Sequence, residues 1–340
     1  MKRSHTFTKL ILLLLLLSLA LISFSVMYWI TMTYFQHTEQ YTEQQTEQQT
    51  EQCAERDTEQ HIERLPFGVW WWCNQDMEVQ QLMNFAKAQG VNEIYWSTGF
   101  TQLHWCEETV VEFMLAAYEN GIEVYYLTGD WPWIHNDDEF IRRLEAFFEW
   151  QESACEATRF AGVHLNIKPH QDPTWRNANA NTRNELLQSY IDLKVRVTDR
   201  FGPMDWSIPF WWQAQEPYLV EYRGEMMYLY RASILEANRV FVMSYRSTAQ
   251  DTYYVGQHHI NFAREVERPI FLSALAHYGD ENPEYDHVHY YFFGNEYMIH
   301  ELAQLREIVD HPDLGIAVHE IVGWHQMWMQ DISDRDLLMH

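Results

Sequence analysis

The stretch Gly162-Val163-His164-Leu165-Asn166-Ile167-Lys168-Pro169-His170 decides the fold. Side chains along a strand alternate between two faces, so its apolar residues share one face and its polar residues share the other. The polar residues of the alternating part are His164, Asn166 and Lys168. A parallel barrel strand turns its apolar face toward an outer helix layer and places polar groups inward near its functional end. The stretch therefore predicts a barrel strand whose end marks a site.

On either side of this stretch, short apolar runs alternate with amphipathic patterns, which is typical of βαβ units. Eight predicted strands indicate the α/β class and a (β/α)8 (TIM) barrel. A doubly wound open sheet is the alternative, but no glycine-rich phosphate loop follows the first strand. The segment Met226–Ala237 is predicted to be a helix. The predicted strands are Phe67–Trp72, Glu93–Thr98, Glu123–Thr128, 162–170, Asp205–Trp211, Arg239–Tyr245, Ile270–Leu275 and Leu314–His319.

The composition limits the possible ligands. The chain is 47% hydrophobic with 15 Trp and 20 Tyr, and its net charge is −26. A field this negative repels phosphate backbones, so we expect no nucleic-acid partner. Aromatic rings on a concave surface favour a ligand with apolar faces, such as a carbohydrate.

The amino terminus predicts an anchor and a spacer. Residues 1–9 carry Lys2, Arg3 and Lys9, and residues 10–35 form an apolar run long enough to cross a membrane. We expect a single-pass signal anchor with the C-terminal domain outside the cytoplasm. The alternative is a signal peptide cleaved near Ser25, which would give a secreted protein.

Residues 36–64 repeat Thr-Glu-Gln and contain too little apolar surface to form a core, so we expect a solvated stalk before a barrel domain at 65–340. Cys53 lies in this stalk and could join two chains, although an incidental free cysteine is equally compatible. Cys73 and Cys106 follow the first and second strands and could bridge.

The strand ends supply the candidate site. Active sites of such barrels lie at the carboxyl ends of the strands, and the residues there are mostly aromatic rings, amides and histidines, with few acids. The candidate substrate-binding residues are Trp131, His164, Asn166, Lys168, His170, Trp211, Trp212, Tyr245, Arg246, His319 and Trp324. No close His/Asp/Glu spacing supports a metal, and no cofactor motif is present.

Several of these segments together resemble a family of bacterial glycoside-hydrolase-like barrel proteins, mostly of unassigned substrate. Residues 162–170 are similar to its strand-four pattern Gly-x-His-x-Asp-x-Glu-Pro, where x is hydrophobic. The likeness extends to Ser207–Trp212, to Val242–Ala249, to the seventh strand and to Gly315–Trp324. The resemblance implies a TIM barrel that binds a carbohydrate or a cell-envelope glycan.

The departures from that family concern its acids. Asn166 and Lys168 stand where the family has Asp and Glu, and Leu275 and Gln213 replace further acids. Glycoside hydrolysis needs two carboxyl groups, one as acid and one as base or nucleophile. The resemblance therefore implies a pseudoenzyme that binds a glycan with lost or weak hydrolysis.

Three alternatives stay open. Asp130, Glu216 and Glu320 could serve as relocated carboxylates of an active glycosidase or transglycosidase. Lys168 could form an ion pair with one of those acids, or it could be a Schiff-base lysine. The chain could also be a structural or assembly protein whose cleft is filled by its own side chains.

Overall fold

The computed structural model describes residues 65–72, 77–97, 108–213, 218–276, 287–309 and 311–338, which all belong to the compact unit Ile62–His340. The predicted tail, anchor and stalk, and with them Cys53, lie outside these residues. Cys73, Cys106 and Glu216 also lie outside them. Among the described helices, none combines the length and the apolar sequence that a membrane span requires.

Eight parallel strands close into a barrel, which confirms the predicted (β/α)8 fold. Around the barrel each strand is hydrogen-bonded to the next barrel strand in chain order, and the last strand pairs with the first. These strands are β1 (Phe67–Trp71), β2 (Glu93–Trp96), β3 (Glu123–Thr128), β4 (Gly162–Leu165), β5 (Met204–Pro209), β8 (Ala237–Met243), β9 (Ile270–Leu275) and β10 (Leu314–His319).

The outer layer consists of helices whose apolar faces pack on the barrel. They are α1 (Val79–Gln89), α2 (Glu108–Glu119), α3 (Asp137–Ser153), α4 (Ala180–Phe201), α5 (Leu229–Leu235), α6 (Ala249–Glu265), α7 (Asn295–Ile308) and α8 (Ile321–Leu338). Val163, Leu165 and Ile167 belong to the core between barrel and helices, as the alternation predicts.

The prediction of a helix over Met226–Ala237 is partly wrong. An antiparallel hairpin of β6 (Leu219–Tyr222) and β7 (Glu225–Tyr228) precedes a shorter helix, α5. Arg223 and Gly224 connect the two strands with positive φ values of 50° and 90°. Two consecutive residues of this conformation form the tight turn that a two-residue hairpin requires.

A second core fills the barrel lumen. Its members are Trp70, Tyr95, Leu127, Phe241, Phe271 and Ala317. The Phe241 and Phe271 rings stack with their centroids 4.0 Å apart. Side chains of this size leave a packed interior in place of a pore, as is usual for eight-stranded barrels.

A buried ionic cluster lies at the amino-terminal end of the barrel, opposite the predicted site. Arg239 donates to Glu93 at 2.9 Å and to Asp205 at 2.6 Å, and its guanidinium lies over the Tyr125 ring. The Tyr95 hydroxyl donates to the same Glu93. One arginine thus bridges two buried carboxylates contributed by two other strands.

Replacing Gly315 by alanine should destabilise the barrel by about 1–3 kcal/mol, since the new methyl group would overlap the buried Phe271 ring. Urea unfolding of the variant measures this loss. Gly162→Ala is the matched control, because its Cβ would approach the Tyr125 ring at 3.2 Å and should cost less. Equal losses for the two variants would contradict a rigid stack of rings in the lumen.

Candidate functional site

The site is built where β4 ends. His164 points into the lumen, and the alternation then carries Asn166 and Lys168 toward the carboxyl ends of the strands, which we call the mouth. A short 3-10 helix, Pro169–Gln171, follows and turns His170 toward the Trp211 ring, with centroids 5.1 Å apart. Asn166 is 7% exposed, and its side-chain oxygen accepts no hydrogen bond from the described residues.

Lys168 has an unusual environment for a lysine. Its side chain is half-buried, and it forms no hydrogen bond or ion pair with any residue that the structure describes. Burial lowers the pKa of the Lys168 amine, and the negative charge of Asp130 opposes this effect in part. The expected ion pairs with Asp130 and Glu320 are therefore absent from the described residues. The third expected partner, Glu216, lies outside them.

His170 is neutral over most of the physiological range. Burial and the nearby Lys168 charge lower its pKa to about 4. Because folding favours the neutral imidazole, His170 contributes stability above its unfolded pKa of about 6.5 and loses it as the pH falls through about 4.

Lys168→Met should raise the pKa of His170 by roughly half a unit or more, since it removes a neighbouring positive charge. NMR titration of the imidazole measures the shift. Lys87→Met, a change on the exposed face of α1, should leave it unchanged. An unaltered His170 titration in Lys168→Met would show that the two groups are not neighbours.

The carboxylates near the mouth are engaged with backbone groups. Asp130 accepts from its neighbour Trp131 N at 2.7 Å. Glu320 is 2% exposed and accepts from Val322 N at 3.2 Å and Gly323 N at 2.9 Å, which caps the first turn of α8. These contacts give both acids a structural role.

A third acid, Asp172, was missed by the sequence prediction. It accepts from Thr174 N and His135 Nε2, both at 2.7 Å, and is 5% exposed. The sequence Asp172-Pro173-Thr174 is a turn signal that could have identified it. Asp172 fixes the loop after β4 and offers little free surface.

Aromatic side chains surround the end of β4. The half-buried rings of His170, Trp175 and Trp211 form a triangle. Trp211 lies 5.1 Å from His170 and 6.3 Å from Trp175, and His170 lies 6.4 Å from Trp175, centroid to centroid. Trp131 is half-buried beside His135. The sequence analysis missed Trp175 because it considered only residues directly after each strand, and Trp175 lies further along the loop after β4.

Another aromatic group lies at the ends of β1, β8 and β10. The Trp72 indole donates to His319 Nε2 at 3.0 Å, and the Tyr245 ring lies 5.9 Å from the His319 ring. Burial raises the pKa of the Tyr245 hydroxyl, which therefore stays protonated. Arg246 lies over the Phe210 ring at 4.6 Å and donates to the Tyr245 carbonyl.

Three predicted substrate-binding residues are instead part of the core. His164 is 0% exposed, contacts Ser207 Oγ at 2.8 Å and packs against Trp70, Tyr95 and Phe241 in the lumen. Burial lowers the pKa of His164 well below its usual value.

Trp212 and Trp324 are 1% and 0% exposed and pack in the outer layer, Trp212 against Tyr190 and Trp324 against Phe85. The Trp324 indole also donates to Asn295. We predicted that Trp212, Trp324 and His164 contact a ligand. Their burial contradicts that prediction. Within the described ranges no group of three His, Cys, Asp or Glu side chains could hold a metal ion.

Solved structures with a similar fold include two chitinases and a spore cortex-lytic enzyme. The chain is similar to a GH18 chitinase from Pseudoalteromonas aurantia, with a TM-score of 0.50 and 10% identity over 79% of this chain and 99% of that one. For a chitinase from Bacteroides thetaiotaomicron the TM-score is 0.48 and the identity 8%, over 76% of this chain and 90% of that one. For the spore cortex-lytic enzyme SleL from Bacillus megaterium the TM-score is 0.45 and the identity 11%, over 78% of this chain and 73% of that one.

Sequence comparison adds no family. The chain matches no protein-family profile, and no curated protein is significantly similar to it. Structural likeness at 10% identity is informative about the backbone alone. The chain therefore has a (β/α)8 barrel fold, which it shares with the chitinase from Pseudoalteromonas aurantia.

Proposed function

We propose that the mouth binds a carbohydrate chain without hydrolysing it. The observation that carries the proposal is the pair Asn166 and Lys168 at the end of β4, an amide and an amine among aromatic side chains. An amide cannot exchange a proton at neutral pH. A lysine cannot stabilise the positive charge of an oxocarbenium-like transition state.

The described acids support the absence of hydrolysis. Hydrolysis requires one carboxyl group that is protonated and one that is ionised, on opposite sides of the glycosidic bond. Asp130 caps the 3-10 helix Trp131–Ile134, and Glu320 directs both of its oxygens at the first turn of α8. The backbone therefore engages both oxygens of Glu320 and one oxygen of Asp130.

The aromatic side chains support sugar binding. Trp131, Trp175 and Trp211 are each half-buried, so each is held by packing and keeps some ring surface exposed. Indole rings pack on the apolar faces of pyranose rings, and Asn166 and His170 supply polar side chains at the same strand end.

Chitin oligosaccharides are the first ligand class to test, because the structural neighbour from Pseudoalteromonas aurantia is described as a chitinase. Isothermal titration of the full chain against chitin, cellulose and peptidoglycan fragments should give a dissociation constant in the micromolar to millimolar range for at least one of them. Binding should be lost in Asn166→Leu and kept in Asn84→Leu, an exposed change on α1. Failure of every fragment to bind would contradict the proposal.

We propose further that residues 10–35 anchor the chain in a membrane, with the barrel outside the cytoplasm. The length of the apolar run and its basic amino-terminal flank support this proposal. Fractionation of cells should place the full chain in the membrane, where external protease should digest the barrel. Recovery of a shortened chain in the medium would favour the cleaved signal peptide.

A further inference from the structure

We infer that the Lys168 amine is a nucleophile that captures an aldehyde, such as the open-chain reducing end of a sugar, as an imine. The inference rests on the proposed function only for the choice of a sugar aldehyde. It follows from the position of this lysine and from its lack of a described partner.

The three lysines in the described part of the chain differ clearly in environment. Lys87 is exposed on α1. Lys194 is 0% exposed, donates to the Ser233 carbonyl at 2.7 Å and lies 4.3 Å from the Trp206 ring centre. Lys168 lies at the mouth, half-buried, with no hydrogen bond or ion pair to the described residues. Of these three, Lys168 alone combines access to a ligand with an amine that is not engaged by a described residue.

The surroundings of Lys168 favour the neutral amine, which is the nucleophilic form. Burial lowers its pKa, and each unit of lowering gives about ten times more free amine at neutral pH. His170, held neutral, adds no positive charge of its own at pH 7. An exposed lysine such as Lys87 has no comparable burial.

The proposed step balances without an oxidant or a reductant. The Nζ lone pair attacks the carbonyl carbon, a C–N bond forms, and the C=O π electrons move to oxygen, which takes the proton released by nitrogen. The carbinolamine then loses water and leaves a C=N bond. Asp130 and His170 act electrostatically on Lys168 but form no hydrogen bond with its amine, so solvent water carries these protons. Hydrolysis of the imine returns the amine and the aldehyde.

Reductive trapping tests the inference on the full chain at pH 7. Sodium cyanoborohydride is added with glyceraldehyde, or with chitotriose, and modified lysines are located by mass spectrometry of proteolytic peptides. We expect Lys168 to be modified at least about tenfold faster than Lys87. Lys194 should stay unmodified in the folded protein, and the alditol of chitotriose should modify no lysine because it has no carbonyl group. A rate at Lys168 equal to or below that at Lys87 would overturn the inference.

Lys168→Arg is the matched variant, since it keeps a positive charge but cannot form an imine under these conditions. It should lose the fast-labelled peptide and keep slow labelling at Lys87. The inference and the proposed function fail separately. Glycan binding with slow labelling of Lys168 overturns the inference alone, whereas fast labelling by glyceraldehyde with no glycan binding overturns the proposed function alone.

Discussion

Replacing Arg239 by methionine should lower the free energy of unfolding by about 3–5 kcal/mol at neutral pH, because it leaves two buried carboxylates without their cation. Glu93 and Asp205 have side chains only 7% and 2% exposed. Water therefore cannot replace the lost ion pairs of these two carboxylates. Urea unfolding of the full chain at pH 7 measures the loss.

The pH dependence of this variant identifies the cause. Burial already raises the pKa of Glu93 and Asp205, and Arg239 opposes the rise. Without Arg239 both pKa values should rise further. A carboxyl group whose folded pKa is raised favours folding below its unfolded pKa of about 4 and loses that contribution as the pH rises. The deficit should therefore be largest near pH 7 and smaller near pH 5.

Arg200→Met is the control for this variant. Arg200 pairs with Glu145 at 2.9 Å, and its side chain is 62% exposed, so the expected loss is below about 1 kcal/mol. A similar loss for the two variants, or a deficit of Arg239→Met that grows as the pH falls, would contradict the account of the buried cluster.

Trp211→Ala should weaken glycan binding at least about tenfold, which corresponds to about 1.4 kcal/mol. The Trp211 ring lies 5.1 Å from the His170 ring and 6.3 Å from the Trp175 ring, centroid to centroid. Its loss would remove the stacking surface and loosen both neighbours. Isothermal titration with the fragment that binds the unmodified chain measures the change.

The control is Trp328→Ala, a half-buried tryptophan on α8 that packs against Phe85 in the outer layer. It should unfold more easily but bind the fragment with unchanged affinity at low temperature. Equal weakening by both changes would indicate that the loss of affinity reports on stability, and the site would then not be where we place it.

The sequence was informative about the barrel because periodicity and strand spacing are local properties. All eight barrel strands were predicted, and three of them, Glu123–Thr128, Ile270–Leu275 and Leu314–His319, have the predicted bounds. The hairpin before α5 was missed because the short apolar run Met226–Tyr228 is compatible with either a helix or a strand. The turn residues Arg223 and Gly224 were the local signal that decides between them.

The site was harder to predict because a residue lines a cleft only if its side chain points into it, whatever its position in the sequence. Trp211 and Trp212 are adjacent in sequence, yet one is half-buried near His170 and the other is enclosed against Tyr190. Pro209 ends β5, and a 3-10 helix breaks the strand alternation there. The side chains of these two neighbouring residues therefore point to different environments, which strand periodicity does not predict.

The most direct test of the central claim is the release of reducing ends by the full chain at a saturating concentration of the glycan fragment that it binds. We expect binding with no turnover above the rate without protein, because the end of β4 carries Asn166 and Lys168 and no carboxyl group that hydrolysis needs. Turnover of about 1 per second or faster, abolished by Asp130→Asn or Glu320→Gln, would contradict it.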